Sequence, residues 1–291
     1  MKRRRGRKWI RLGKRVATHA ILIAACAFAL FPIYFIVVTS FSTLPIASIT
    51  AQVLVPRASQ LTLASYHAIL YNQQAPTFGT LILNSLIFAG SAAGIGMLLA
   101  AFTGFALSKF NFPGRRSFVY FILLISLFPS FVMILPFYLM FAQLGLIDSY
   151  LGLIIVYSSG AIVFSGILVK NYMDSIPDDI EEAALVDGMT RTQAFFRVLI
   201  PLCYPILGLA AFLAFVGPYT DYVFAHVFLT ADTTKWTLAL GLYNIANTDT
   251  GESNYGLVTA FAIIMALPIV AFYIGFQRYI IGGLTLGAVR G

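Results

Sequence analysis

The 291-residue sequence predicts an all-α integral membrane protein of six transmembrane helices with both termini cytoplasmic. Three observations carry this prediction. The chain is 59% hydrophobic and 10% charged, with mean hydropathy +0.87; a soluble domain has about 25% charged residues. Six apolar runs reach the roughly 20 residues a bilayer crossing needs: 16–40, 81–107, 117–143, 150–170, 199–219 and 257–276. The basic residues divide unevenly between the segments joining those runs.

The chain opens on a basic segment, residues 1–15, which holds nine of the 19 lysines and arginines. It resembles the start of a signal peptide, but the apolar run from Val16 to Thr39 exceeds a signal's 7–15 apolar residues and ends in LFPIYFIVVTSF without a small-residue cleavage site. A retained first span over 16–40 is expected. A segment expected outside, 41–80, contains LTLASYHAIL, a short helix capped by Thr62. The core, 81–276, holds the other five spans. In its first span, small residues recur four apart (Gly90 and Gly94; Gly96, Ala100 and Gly104), a spacing that allows close helix packing. The fifth run contains Pro205 and Pro218, which membrane helices tolerate where neighbours satisfy the freed carbonyls.

Charge orients these spans. The N-terminus, the 108–116 loop, the 170–198 loop and the 277–291 tail together carry seventeen basic residues; the other side has only Arg57 and Lys235. Lysine and arginine favour the cytoplasmic face, and an even number of spans independently puts both termini on one side. The net charge of +8 is therefore a topology signal and not a nucleic-acid-binding face. Outside would lie 41–80 and 220–256; the second holds Trp236 and is rich in turn residues.

Several chemistries have no support in the sequence. Asp, Glu, Lys and Arg are absent from the interior of every run, with Lys170 at a boundary; secondary carriers usually place ionisable groups there. His19, His67 and His226 are scattered, Cys26 and Cys203 have no metal or redox spacing, and no phosphate-binding G-x-x-x-x-G-K-[ST] loop occurs. No catalytic residue, metal ligand or cofactor is expected. The chain reads as a conduit whose energy comes from a partner.

The acidic residues are concentrated. Asp174, Asp178, Asp179, Glu181, Glu182 and Asp187 make up six of the eleven, and none precedes Asp148. SIPDDIEEAALVDG reads as a short helix with Ser175 as cap and Asp178 three residues on. Pro177 suits its first turn, and the acids complement its dipole. Ile180, Ala183, Ala184 and Asp187 recur at i, i+3, i+4 and i+7, a small-sided face suited to a narrow groove. Gly188 permits a left-handed turn. TRTQAFFRVLIP then starts a second helix, capped by Thr190 with Gln193, that runs into span five. A plain solvated acidic connector fits the same periodicity.

These residues carry a resemblance. EEAALVDGMTRTQAFFRVLIPL resembles the EAA loop of ABC importer membrane subunits (E-A-A, three residues, G, nine residues, I-x-L-P), with Glu182, Ala183, Ala184, Gly188 and Pro201 in place and Val198 and Ile200 as mild departures. FALSKFNFPGRR (105–116) and the tail QRYIIGGLTLGAVRG (277–291) are similar to segments of the carbohydrate branch, the tail and KWTLALGLYNI (235–245) to its maltose/maltodextrin permease subunit (MalG-type). The resemblance implies a type I ABC importer permease (MetI-like) fold in a bacterial or archaeal cytoplasmic membrane. It implies four partners besides lipid: a second permease subunit (MalF-type), two ATP-binding subunits and an extracytoplasmic sugar-binding protein. Glu182, Ala183, Ala184, Asp187, Gly188 and Pro201, within the EAA loop 174–198, would couple to the ATPase. Gly287, Arg290 and Gly291 in the tail would reach toward it. Trp236 and Tyr243 would contact the binding protein. The implied cargo is maltose, maltodextrin or a related α-glucoside, with glycerol phosphate or a polyol as the alternative within the class and an ion-coupled secondary carrier outside it. Asn84, Ser85, Ser126, Ser130, Gln143, Ser158 and Ser159 are read as interhelical hydrogen-bonding groups; no sugar-contacting residue is named.

Overall fold

The computed structural model describes residues 2–42, 61–72, 75–248 and 254–288, with side chains from residue 13 to residue 278 within them. Arg57, Arg290 and Gly291 lie outside the described residues. The described residues form helices and turns, with no strand among them. The chain divides into two compact units, Met1–Tyr71 with Ile245–Ile264, and Asn72–Asn244 with Met265–Gly291.

The first unit holds α1 (Lys2–Ser40), α2 (Ala64–Tyr71) and the start of the last helix. The basic N-terminal segment is thus part of a 39-residue helix. Thr62 Oγ1 accepts from the Ala64 N–H at 3.1 Å, the capping contact its sequence suggested. The Ser40 and Tyr66 hydroxyls are 2.7 Å apart. A Cβ on Gly256 would fall 1.5 Å from Ser42 O, so only glycine admits that backbone approach.

The second unit holds α3 (Phe78–Lys109), α4 (Arg115–Ser126), α5 (Ile134–Gln143), α6 (Tyr150–Met173), α7 (Asp178–Val186), α8 (Arg191–Ala194), α9 (Tyr204–Thr220), α10 (Val223–Phe228), α11 (Leu238–Ala246) up to Asn244 and the rest of α12 (Tyr255–Ala288). Four helical stretches are long and apolar enough to cross a bilayer: Gly13–Ser40, Phe78–Lys109, Tyr150–Met173 and Tyr255–Arg278. Two bent pairs bring the number to six if each is one span.

Those bends fall in the third and fifth apolar runs. Arg115–Ser126 meets Ser130–Gln143 at 91°. Pro129 stands at that break, where it supplies no N–H and holds its predecessor out of the helical region. Arg191–Leu202 meets Tyr204–Thr220 at 76°, so the helix after Gly188 does not run straight into span five. Pro201 cannot donate to Arg197 O four residues back. The chain widens upstream into a π-helical turn, Phe195–Leu199, in which the Ile200 N–H reaches Phe195 O. Pro205 lies in the first turn of α9, and Pro218 lies inside it without a break. The 220–256 segment, expected as an outside loop rich in turn residues, contains α10, a 3-10 turn (Thr233–Lys235) and α11. The last helix continues through Ala288, past the expected end of the span at 276.

α3 and α6 form the centre of this unit. A Cβ on Gly96 would come within 2.8 Å of Ala161 Cβ, and one on Gly104 within 2.6 Å of Val169 Cγ1. Such approach lets dispersion contacts accumulate where lipid provides no hydrophobic drive between helices. Ala100, between them, is fully buried. Gly90 and Gly94 have no neighbour at their Cβ positions, so only one of the two small-residue series makes the crossing. α9 closes the core: Phe215 stacks on Phe272 at 4.5 Å, and the Tyr219 hydroxyl donates to Met265 O at 3.0 Å.

Candidate functional site at the α6–α8 connection

The acidic segment follows α6. The Ser175 and Ile176 N–H groups donate back to Tyr172 O and Met173 O, and Ser175 Oγ donates to Tyr172 O at 2.6 Å. Ser175 therefore finishes α6 and does not cap the next helix, a correction to the sequence reading. Pro177 is the N-cap of α7, with extended backbone (φ −54, ψ 137) and no side-chain hydrogen bond. Asp178, Asp179 and Glu181 in the first turn offset the exposed N–H dipoles there.

The C-terminal end of α7 is closed by backbone alone. Gly188 has φ +86. Its N–H donates to Leu185 O, and the Met189 N–H donates to Ala184 O, both at 3.0 Å. This pair of bonds is the Schellman arrangement, and its left-handed residue is most cheaply glycine. Two residues later the capping box forms: Gln193 N–H to Thr190 Oγ1 at 3.3 Å, and Thr190 N–H to Gln193 Oε1 at 2.9 Å.

α7 packs on α8 and the π-turn. The face read from sequence is divided: Ala184 is buried at 5% exposure, whereas Ala183 faces solvent. The free surface combines Ala183, Ile180 and Val186, the last 86% exposed, with Asp179, Glu182 and Asp187. Among the described residues, Glu182 and Asp187 make no ion pair. Val186 was absent from the sequence-derived set because its position falls off the i, i+3, i+4 series. Pro201 is exposed and sits before the bend.

Two acids are engaged. Lys109, the last residue of α3, has a side chain only 6% exposed, and its Nζ lies 2.6 Å from Asp178 Oδ1 and 3.4 Å from Ile176 O. Asp174 accepts from Lys170 Nζ and, at 2.7 Å, from Ser108 Oγ. Partial burial pushes the Asp174 carboxyl up. The hydrogen bonds from Lys170 and Ser108 and the charges of Lys170 and Arg115 outweigh that and hold it below the ordinary 3.8. Sequence reasoning missed Lys109 and Ser108 as site residues. A lone lysine ending an uncharged span, in a chain with one acidic loop, was the available signal.

The opposite end of α3 is held differently. Asn84, 2% exposed, donates to Thr234 O (2.8 Å) and Trp236 O (2.9 Å) and accepts from the Tyr150 hydroxyl (2.6 Å). Ser85 Oγ accepts from the Leu238 N–H at 2.7 Å. Asn84 thus bonds between spans, through Tyr150 of α6, and also to the segment after α10, which Ser85 holds as well. Trp236 is half-buried against the Phe88, Phe141 and Phe228 cluster, and its indole N–H donates to Leu229 O. Tyr243 is 38% exposed and stacks on Tyr222 at 4.8 Å. Gly287 lies in the last turn of α12. No group of three or more metal-ligating side chains occurs among the described residues.

Comparison with known proteins agrees with this architecture. The family described as "Binding-protein-dependent transport system inner membrane component" matches residues 92–285. The trehalose transport system permease protein SugB of Mycobacterium tuberculosis (strain CDC 1551 / Oshkosh) is 32% identical over 282 residues, 96% of this chain and 100% of that protein. The galactooligosaccharides transport system permease protein GanQ of Bacillus subtilis (strain 168) is 29% identical over 98% of each chain. The trehalose/maltose transport system permease protein MalG of Thermococcus litoralis is 30% identical over 94% of this chain and 95% of that protein. A chain from the crystal structure of a bacterial ABC transporter involved in the import of the acidic polysaccharide alginate superposes with TM-score 0.77 at 26% identity, covering 91% of this chain and 95% of that one.

Proposed function

The chain belongs to the binding-protein-dependent transport system inner membrane component family, and we propose that within a sugar importer it is the permease subunit whose α7 receives the ATPase. It is a multi-pass membrane protein and a permease subunit of an ABC sugar importer, not an enzyme. The observation that carries the α7 assignment is a short helix closed by its own backbone, with an exposed small and apolar face and with Glu182 and Asp187 in no ion pair among the described residues.

The mechanism assigns the parts. α7 docks in a groove of one ATP-binding subunit, with Ala183 allowing close approach and Glu182 making the charged contact. Ala184 ties the helix to its own chain, and Gly188 sets the turn. Closure of the ATPases on ATP moves α7, and the spans rock as rigid elements around a pathway shared with a MalF-type second permease. The basic ends lie in the cytoplasm, and the α10–α11 segment with Trp236 and Tyr243 meets the sugar-binding protein outside. Gly287, Arg290 and Gly291 extend toward the ATPase pair. The cargo we propose is maltose, maltodextrin or a related α-glucoside, supported by the trehalose and trehalose/maltose relatives.

Reconstitution with the co-expressed partners tests this reading. ATP hydrolysis should rise when binding protein loaded with maltose, maltodextrin or trehalose is added. Stimulation by galactooligosaccharide alone would sink the α-glucoside assignment. No stimulation by any sugar, with the complex assembled, would sink the importer role of α7.

A further inference from the structure

α3 contacts the acidic connection at both of its ends. At the entry, Lys109 Nζ holds Asp178 Oδ1 and Ile176 O, and Ser108 Oγ holds Asp174. At the exit, Phe195 opens the π-turn at 3% exposure, with its ring 4.4 Å from Phe105 and 5.6 Å from Phe102. All four partners, Phe102, Phe105, Ser108 and Lys109, lie in the last eight residues of α3. α7 is therefore fastened to a helix that is not its neighbour in sequence.

We propose that α3 is the lever that takes up the displacement of α7, with Lys109 as the positioning residue that fastens the two. The inference rests on the reading of α7 as the ATPase-docking helix. A lysine with its side chain almost fully covered needs an anionic partner close by, because water no longer solvates it. Asp178 is 80% exposed, so the pair is anchored from the α3 side and open to solvent on the α7 side. Phe195 gives a second attachment through the π-turn on which α7 packs, and a connection fixed at both of its ends passes on translation and tilt together. The far end of α3 holds Thr234 and Trp236 through Asn84. One rigid element thus joins the ATPase-facing helix to the segment assigned to the binding protein.

The test uses the complete reconstituted importer. Lys109→Met should lower sugar transported per ATP hydrolysed by about tenfold, within the range of coupling effects at such positions, while hydrolysis continues. Lys109→Arg should restore most of the ratio, because a cationic donor still reaches Asp178; a space-filling role alone predicts no such rescue. Asp178→Asn changes an exposed side chain and should fold, with a several-fold smaller ratio. A wild-type ratio in Asp178→Asn overturns the inference whether or not Lys109→Met folds. Cross-linking of Ala183→Cys to the ATPase subunit separates the two levels. If that cross-link is absent in otherwise wild-type importer, the α7 reading fails; if it forms and the ratios stay unchanged, only the lever fails.

Discussion

The two ends of α3 are held by opposite kinds of chemistry. At its start, Asn84 and Ser85 are buried and neutral; three of their hydrogen bonds end on backbone of the Thr234–Leu238 segment, and a fourth comes from the Tyr150 hydroxyl. Asp148 adds to that end from a left-handed position (φ 53), accepting from Ala231 N at 3.0 Å while Lys235 Nζ donates to its backbone oxygen. At its other end, Ser108 and Lys109 hold carboxylates that are partly or largely exposed, 37% for Asp174 and 80% for Asp178. Buried neutral networks are rigid because an unpaired member is costly. At the charged end the carboxylates face water, but the Lys109 ammonium that holds Asp178 is covered and needs that partner. The difference teaches that one end is locked by buried neutral groups, while the other is fastened by charge to a segment that faces water.

The comparison breaks most sharply at Asn84. Asn84→Leu removes three hydrogen bonds and leaves the Thr234 and Trp236 carbonyls without that donor. It should cost about 3 kcal/mol, read as a clear fall in thermal unfolding temperature in detergent. An unchanged unfolding temperature would show that this end is not the rigid one. Gly188→Val forces a β-branched residue to φ +86, which costs about 1–2 kcal/mol confined to an exposed turn. Membrane insertion and unfolding temperature should change little, but transport per ATP should collapse. Normal coupled transport in that variant would remove the turn from the mechanism.

The smallest effect concerns pH. The Asp174 carboxyl is held below its ordinary value, so its contribution is complete above the usual carboxylate range and is lost as pH falls through the lowered value. The group is more than a third exposed, so the contribution is about 0.5 kcal/mol or less. Asp174→Asn should flatten the fall in unfolding temperature as pH drops from the ordinary carboxylate value of 3.8 through the lowered one. The wild type and Asp174→Asn tracking each other over that interval would show that the carboxylate contributes nothing at the α3–α6 junction.

Much of the connection was legible because its signals are local. Gly188 and Thr190 with Gln193 are turn and cap chemistry, set by a few consecutive residues, and the structure forms both. Ser175 was misread because two adjacent helices compete for it. The end of α6 takes its hydroxyl, and a reading of α7 alone contains no term for that competition. The 3.6-residue period put Ala183 and Ala184 on one broad face; the packing of α7 on α8 and the π-turn split them. Asn84 was read as a group bonding between spans, which its contact with Tyr150 is, but its two other partners lie 150 and 152 residues away.

The sequence by itself determined the class of the molecule. Apolar length, scarcity of charge and clustered acids follow from solvation by lipid or water, which acts on each segment separately. It also determined the turn after α7, because few residues tolerate positive φ. Only the tertiary structure decided the bends in spans three and five, the choice of Gly96 and Gly104 over Gly90 and Gly94, and the pairing of Lys109 with Asp178. Those outcomes depend on which surfaces meet, and contact between residues 69 positions apart is set by the packing of whole helices, not by any pattern within one of them.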